Sequence, residues 1–574
     1  MNPRPMRSPD TRPALLLMTL LLTLVGCLND LNFDDIEPRC ALPRFDVPSR
    51  DVYCSGELTT STPATQDGEA QYISVAALGE RAAVFQGTPI DRAQYYTYVT
   101  DLERAGMPNE ALQLQQVLDS NLPLYSRIVG WATDVDALSD ASLSPDAEVE
   151  LYQFTGEGAF ALGPIYRAQY LAEEGDALLV LGFNGAALVQ LSGGEETISY
   201  RDLELPRRLL PGQRDGDVSA LDIEVWAPEP GRVVLFLAGG SSGLKSLSFV
   251  WDGANWQEDF YPVTDVWNPE ALEDAAVACC QQACDIAEIA RCGLGTVRNN
   301  CVYLNEPWMN SRECINQTFT HRISFLVSSV EVAQPTSGEA RLYLGGFSVE
   351  LGPNGEELYR GTINTVAASQ VDPKGYSSQI GPTMNTVQQI LPAVEGMAED
   401  DLMQVIDIVA QGDTLYTLNS IYPPEAFSNA QALLLGDSRL AIQIFKLTSD
   451  GLIDSGQPVR SIPITIADGD FTSSAYPELR MIGSGILAMR TVRLKYTSVS
   501  LEFGGSNLMI WDLAGDQLPS EPLRAYEEVF TSDNARRAHN GLISAERGDS
   551  GVLVHPSVEG LERIDLTIGG SPLP

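Results

Sequence analysis

Four stretches of this chain repeat one plan, and the plan limits the fold more than any single residue does. They are "LLVLGFNGAALVQLSGG" from Leu178, "VLFLAGGSSGLKSLSFVWDGANW" from Val234, "RLYLGGFSVELGPNG" from Arg341 and "SLEFGGSNLMIWDLAGD" from Ser500. Each reads as an apolar strand, a glycine turn, a second strand, and a further turn rich in Gly, Asp or Asn. Looser copies begin at Arg81 with "RAAVFQG" and at Thr414 with "TLYTLNS", the latter resuming at Leu440 after an insertion. Asp252-Gly253, Asn354-Gly355 and Asp450-Gly451 are hairpin signals, because Gly, Asn and Asp accept the positive φ such turns require. With insertions removed the copies lie roughly 50 to 60 residues apart, near the ~40–50 of propeller blades. A small sheet cannot bury both of its faces alone, so neighbours must stack. The expected fold is mainly β: a β-propeller of about six to eight blades, with seven favoured. An array of β-sandwiches would give the same regular hairpins and stands as the alternative.

Trp251-Asp252 and Trp511-Asp512 resemble the Trp-Asp ending of a WD40 blade, although the Gly-His that opens such a blade is absent. The resemblance implies a propeller, with these tryptophans packed between blades. Two insertions interrupt the repeat. Residues 88–120 read as a helical hairpin, with Pro89 in a first turn, Gly106 as a break and "NEALQLQQVL" from Asn109 at helical spacing. Residues 268–320 form a cysteine-rich helical insertion opened by Asn268-Pro269, an N-cap followed by proline at the first helical position. The first blades then occupy residues 71–267 and the remaining blades residues 321–574.

The N-terminus reads as an export signal. Arg4, Arg7 and Arg12 precede an apolar run from Ala14 to Val25, which is too short for a membrane span. The run ends in Leu24-Val25-Gly26-Cys27, which resembles the lipobox of bacterial lipoproteins. The resemblance implies that residues 1–26 are removed, that Cys27 is lipidated, and that the protein is anchored in the outer membrane on its periplasmic or cell-surface side. Two acyl chains hold a protein stably, at about 0.8 kcal/mol per buried methylene. Residues 27–70 would be the tether.

Eight cysteines remain: Cys40, Cys54, Cys279, Cys280, Cys284, Cys292, Cys301 and Cys314. An even number in an exported chain points to disulfides. Cys40 and Cys54 are expected to close a loop beyond the anchor, and the other six to staple the insertion in one of fifteen connectivities. Zinc fits poorly, since two CxxC pairs are lacking.

Acids outnumber bases 77 to 36, giving a formal charge of −41. Such a surface repels nucleic acid, which is excluded as a partner. The acidity fits a saline habitat, or attraction to cations or to a basic partner; an envelope protein or a glycan is the expected partner.

"ERGDSGVLVH" from Glu546 contains both an Arg-Gly-Asp string and the Gly-Asp-Ser-Gly that surrounds the nucleophile of chymotrypsin-like proteases. Of the three histidines only His321 lies well upstream of Ser550, as that family's order requires, and nothing around it resembles the family's histidine motif. Apolar strands flank the segment, so it reads as a hairpin turn. Asp134, Asp136 and Asp140 are the candidate metal ligands, for calcium, in "DVDALSDASLSPD"; Ser139 replaces the sharp-turn glycine of an EF-hand loop. With 77 acids, spacing alone selects no catalytic carboxylate pair.

The function expected from sequence is a non-catalytic envelope platform binding a protein or ligand, without a cofactor unless calcium is bound. The alternative is a carbohydrate- or peptide-acting hydrolase or lyase at the propeller mouth. The two make different demands on the structure. Binding predicts an apolar patch on one rim or on the cysteine insertion. Catalysis predicts converging acids of raised pKa at the centre, beside exposed aromatic rings.

Overall fold

The structure is a computed structural model that describes residues 39–40, 52–54, 59–61, 71–90, 92–106, 111, 115, 125–139, 149–153, 165–182, 185–191, 200–203, 222–239, 244–266, 322–351, 357–375, 387–390, 394, 401–422, 439–464, 473–482, 486–496, 501–512, 522, 524–529, 543–547, 550–556 and 561–568. The signal segment 1–26, Cys27 and all six cysteines of the 268–320 insertion lie outside them. Among the described residues the chain is mainly β and forms seven small antiparallel sheets.

Three short strands come first: β1 (Arg39–Cys40), β2 (Val52–Cys54) and β3 (Thr59–Ser61). Sheet 1 contains β4 (Gln71–Leu78), β5 (Arg81–Pro89), β6 (Tyr125–Asp134) and β7 (Val149–Gln153). Sheet 2 contains β8 (Ile165–Ala172), β9 (Ala177–Gly182), β10 (Gly185–Gln190) and β11 (Tyr200–Leu203). In sheet 3 are β12 (Asp222–Glu229), β13 (Arg232–Ala238), β14 (Leu244–Trp251) and β15 (Trp256–Val266). Sheet 4 has β16 (Arg322–Ala333), β17 (Arg341–Leu351), β18 (Glu357–Ala367) and β19 (Val387–Ile390). Sheet 5 has β20 (Leu402–Gln411), β21 (Thr414–Tyr422), β22 (Arg439–Lys446) and β23 (Arg460–Ile464). Sheet 6 is built from β24 (Ser473–Ile482), β25 (Ile486–Tyr496), β26 (Leu501–Asp512) and β27 (Arg524–Val529). Sheet 7 is built from β28 (Ile543–Arg547), β29 (Ser550–Pro556) and β30 (Leu561–Ile568).

Each sheet runs in chain order, so its first strand is a free edge. Those first strands meet their neighbours in succession: β4 touches β8, β8 touches β12, and so on through β16, β20, β24 and β28. Strands β28 and β29 then pack against β4, bringing the last sheet onto the first in a propeller-like arrangement. The N-terminal strands complete the late sheets. Strand β2 pairs with β30 as a fourth strand of sheet 7, β3 also pairs with β30, and β1 pairs with β27 at the outer edge of sheet 6.

Alternation of side chains along the strands gives each sheet two apolar faces, and the core is a set of seams between sheets. Phe85, Tyr170 and Val180 fill the seam between sheets 1 and 2. Phe236, Leu342 and Leu344 fill that between sheets 3 and 4, and Leu418, Met489 and Trp511 that between sheets 5 and 6. Trp256 and Trp511 are buried between sheets, and Trp251 packs partly buried beside Trp256. The helix α1 (Arg92–Arg104) sits between β5 and β6, with Tyr95, Val99 and Leu102 turned into the first seam, and Gly106 at φ 79° follows it. Pro89 belongs to β5 rather than to the first turn of the helix. Most of the second half of the expected helical hairpin lies outside the described residues.

Two of the expected glycine turns are not turns. Gly345-Gly346 lies inside β17, and Gly504-Gly505 lies inside β26. A Cβ on Gly345 would fall 2.4 Å from Ser329 Oγ and 2.5 Å from Val405 Cγ1. Glycine is used there to let sheet 5 approach, which is the other meaning of glycine within a strand. At Gly504 the register with β25 shifts between Arg493 and Leu494, a bulge rather than a reversal. Asp252-Gly253 does turn: Gly253 has φ 101°, and Asp252 Oδ1 accepts from the amides of Ala254 and Asn255 at 2.9 and 2.7 Å. Around the "RGDS" stretch Arg547 at the end of β28 pairs with Ser550 at the start of β29, while Gly548 and Asp549 lie outside the described residues.

Candidate functional site: carboxylates on the inner strands

The first strand of every sheet lacks a ladder partner on one side, so its outward amides need other acceptors. In sheets 3 to 6 acidic side chains supply them, each reaching the next sheet along. Asp222 on β12 accepts from Ile223 N at 2.9 Å and, across the seam, from Val330 N on β16 at 2.9 Å. Glu331 on β16 accepts from Ala410 N on β20 at 3.0 Å. Asp407 on β20 accepts from Ile408 N at 2.9 Å and from Leu479 N on β24 at 2.6 Å. Three carboxylates thus link four consecutive inner strands.

The same strand faces carry more charge. Residues two apart in a strand share a face, so Glu224 accompanies Asp222 and Arg480 accompanies Glu478. β-Bulges immediately precede Ser329, Asp407 and Glu478, breaking the pairing of each strand at the point where its polar face begins. The result is a cluster of Asp222, Glu224, Glu331, Asp407 and Glu478 with the guanidinium of Arg480, and the fully buried Arg490 of β25 stands opposite Glu478. On β4 the matching place after the bulge holds Ser74, followed on the same face by Ala76.

Electrostatics distinguish its members. Burial, then the charge of Glu224, then those of Asp222 and Asp407 push Glu331 well above the usual carboxylate range, against the pull of the Ala410 amide. Asp407, only 7% exposed, is pushed up to about 7, first by burial and then by Asp222, with Arg480 and the Leu479 amide opposing. Burial draws the Arg480 guanidinium down, but Glu478, Asp407, Asp222 and Glu224 together hold it above its ordinary value. Arg480 Nη1 donates to Leu479 O at 2.7 Å. One Glu478 oxygen is buried without a hydrogen-bond partner. The cluster therefore combines a carboxyl at Glu331 that holds its proton more tightly than usual with the guanidinium of Arg480, which are components of acid–base chemistry.

The residues singled out from sequence lie elsewhere. Asp134 ends β6 and bonds Arg81 at 2.7 Å; that arginine also grips Asp176 of sheet 2. Asp136 lies in the short 3-10 turn Val135–Ser139, and Asp140 lies outside the described residues. No group of three or more His, Cys, Asp or Glu side chains placed to hold a metal occurs among the described residues. Cys40 ends β1 on sheet 6 and Cys54 ends β2 on sheet 7, so the two backbones sit on the outer edges of adjacent sheets. Sequence reasoning passed over the inner-strand acids. Their signal was a charge alternating with aliphatic residues just upstream of each strong hairpin: "DIEV" from Asp222, "SVEV" from Ser329, "DIVA" from Asp407 and "ELRM" from Glu478.

No family model and no curated protein matches this chain. Among solved structures it is similar to the AfRom2 CNH domain, at 8% identity and TM-score 0.35, covering 90% of this chain and 99% of that one. It is similar to the polysaccharide lyase Uly1 at 6% identity and TM-score 0.34, covering 91% and 100%. It is also similar to the β-propeller domain of the Trilobed protease from Pyrococcus furiosus, at 8% identity and TM-score 0.31, covering 87% and 96%.

Proposed function

We propose that this protein is a glycan-acting hydrolase whose chemistry is carried by the inner-strand carboxylates of a closed seven-bladed propeller. Sheet-to-sheet succession, with the last sheet packed on the first, supports the ring. The observation that carries the function is the convergence of Glu331, whose pKa is raised by burial and by its acidic neighbours, with Glu224 on the inner strand of the neighbouring sheet. Glycoside hydrolysis needs such a pair, one carboxyl protonated and one ionised. Glu331 would donate its proton to the glycosidic oxygen as the bond to the sugar breaks. The carboxylate of Glu224 would stabilise the positive charge on the ring or activate the incoming water.

The balance of charges favours hydrolysis over elimination. A lyase must draw the carboxylate of a uronic acid into its site, and here the five acids outnumber Arg480 and the buried Arg490 beside Glu478, on a chain of charge −41. Neutral glycans meet no such repulsion. The platform reading predicted an apolar patch on a rim. Among the described residues the exposed large hydrophobics are Leu78, Tyr96 and Val459, on sheet 1, on α1 and ahead of β23, which are scattered positions. The exposed aromatic rings expected beside a catalytic mouth are represented there by Tyr96 alone, on α1.

Lipidation at Cys27 would hold the enzyme at the cell envelope, where extracellular glycans are met, and the strands β1 to β3 within residues 27–70 would seat it on sheets 6 and 7. A reducing-end assay over neutral and uronic polysaccharides tests the function. Release from a neutral glycan, lost in Glu331→Gln, is the expected result. Cleavage restricted to uronic polymers with an unsaturated product would replace hydrolysis by elimination.

A further inference from the structure

The three carboxylate-to-amide bonds run in one direction, sheet 3 to 4, 4 to 5 and 5 to 6, and this order matters for the site. Asp222 grips the amide of Val330, the residue directly before Glu331. Glu331 in turn grips Ala410, three residues beyond Asp407 on the same strand. Asp407 grips Leu479, the residue between Glu478 and Arg480. A bulge lies one or more residues upstream of each gripped segment, between Val327 and Ser329 on β16, between Val405 and Asp407 on β20, and between Ala475 and Glu478 on β24. A bulge interrupts the ladder that would otherwise fix the strand. The backbone carrying each reactive side chain is thus located by a carboxylate of the preceding sheet as well as by its own ladder.

We propose that Asp222 and Asp407 are positioning residues, which set the backbone of Glu331 and of the Glu478–Arg480 pair from the neighbouring sheet, so that the acid cluster is assembled as a relay from sheet 3 to sheet 6. This rests on Glu331 and its neighbours being the working groups. Neither aspartate needs to touch a glycan: both oxygens of each accept backbone amides, and both side chains are buried, at 8% and 7% exposure. The groups facing Glu331 are Glu224 and Asp222 from β12, Asp407 from β20 and the Tyr343 hydroxyl of its own sheet.

Amide hydrogen exchange separates positioning from a local structural role without any substrate. In Asp222→Asn one of the two acceptors becomes a donor, so the Val330 amide loses its partner. Because Glu331 then shifts, its bond to the Ala410 amide, one sheet further on, loosens as well. Exchange at both amides is expected to rise about tenfold, the effect of losing one such bond. Faster exchange at Val330 alone would make Asp222 a local clasp and overturn the relay, as would no change at either. In Asp407→Asn, Leu479 is expected to exchange faster; an unchanged rate there also overturns it. Should Asp222→Asn fail to fold, the wild-type chain still decides: Val330, Ala410 and Leu479 are expected to be protected, and rapid exchange at them refutes the clasps. A chain inactive on every glycan would sink the hydrolase reading while leaving these rates to be judged alone.

Discussion

Asp407 offers the sharpest test of the electrostatics. Its carboxyl is pushed from an ordinary 3.8 to about 7 in the fold, chiefly by burial and then by Asp222. An acid that holds its proton more tightly when folded stabilises the fold fully below pH 3.8, and that stabilisation is lost as the pH rises through about 7. Each pKa unit is worth about 1.4 kcal/mol, so ionised Asp407 costs the fold on the order of 4 kcal/mol above neutrality. Asp407→Asn removes that cost and surrenders one of two amide bonds, a loss of about 1–3 kcal/mol. At pH 5 the wild-type side chain is already neutral, so the variant is expected to be equal or slightly less stable there. At pH 8.5 it is expected to be as stable or more stable, by about 1–3 kcal/mol. Calorimetric melting of both proteins from pH 5 to 9 measures this directly, with the two curves converging or crossing as pH rises. Parallel curves, or a variant penalised more at pH 8.5 than at pH 5, would refute the argument.

Other substitutions probe the frame around the site. Gly345→Val forces a side chain into the space held by Ser329 Oγ and Val405 Cγ1, and a melting-point loss equivalent to about 1–3 kcal/mol is expected, whereas a true turn glycine would have tolerated it or failed through φ. Arg232 and Asp372 form a buried bidentate ion pair, with Nη1 to Oδ2 at 2.9 Å; Asp372→Ala removes the bidentate partner of a buried guanidinium and is expected to cost about 3–5 kcal/mol in urea unfolding. Deleting residues 28–62 removes β1 to β3 and bares the edge of β30, so the shortened chain is expected to self-associate by light scattering at concentrations where the full chain does not.

The fold was legible where side chains alternate and turns are forced. The strand pairs at Leu178 and Val234 are β9–β10 and β13–β14, and the insertion after Thr414 falls between β21 and β22 as the repeat implied. Glycine misled where its purpose was contact rather than reversal. Gly345 admits a neighbouring sheet and Gly504 marks a bulge, and nothing local in "LGGF" or "FGGS" distinguishes those uses from a turn. The site was hidden for a related reason. Asp222, Glu331 and Asp407 are three acids among 77, and they acquire meaning only when their strands become neighbouring inner edges with unpaired amides. Histidines, cysteines and aspartate-rich loops drew notice because they form local patterns, whereas Glu224 and Glu331 are 107 residues apart in sequence.

The general-acid role of Glu331 is the centre of the account, and leaving-group dependence tests it most directly. A phenol such as 4-nitrophenol departs without being protonated, so an aryl glycoside bypasses a missing proton donor. Initial rates of wild type and Glu331→Gln should therefore be compared on a neutral polysaccharide and on an aryl glycoside of the same sugar. The account predicts a loss of about 10²–10⁴-fold on the polysaccharide and little loss on the aryl glycoside. Equal losses on both, or full activity of the variant on the polysaccharide, would contradict it.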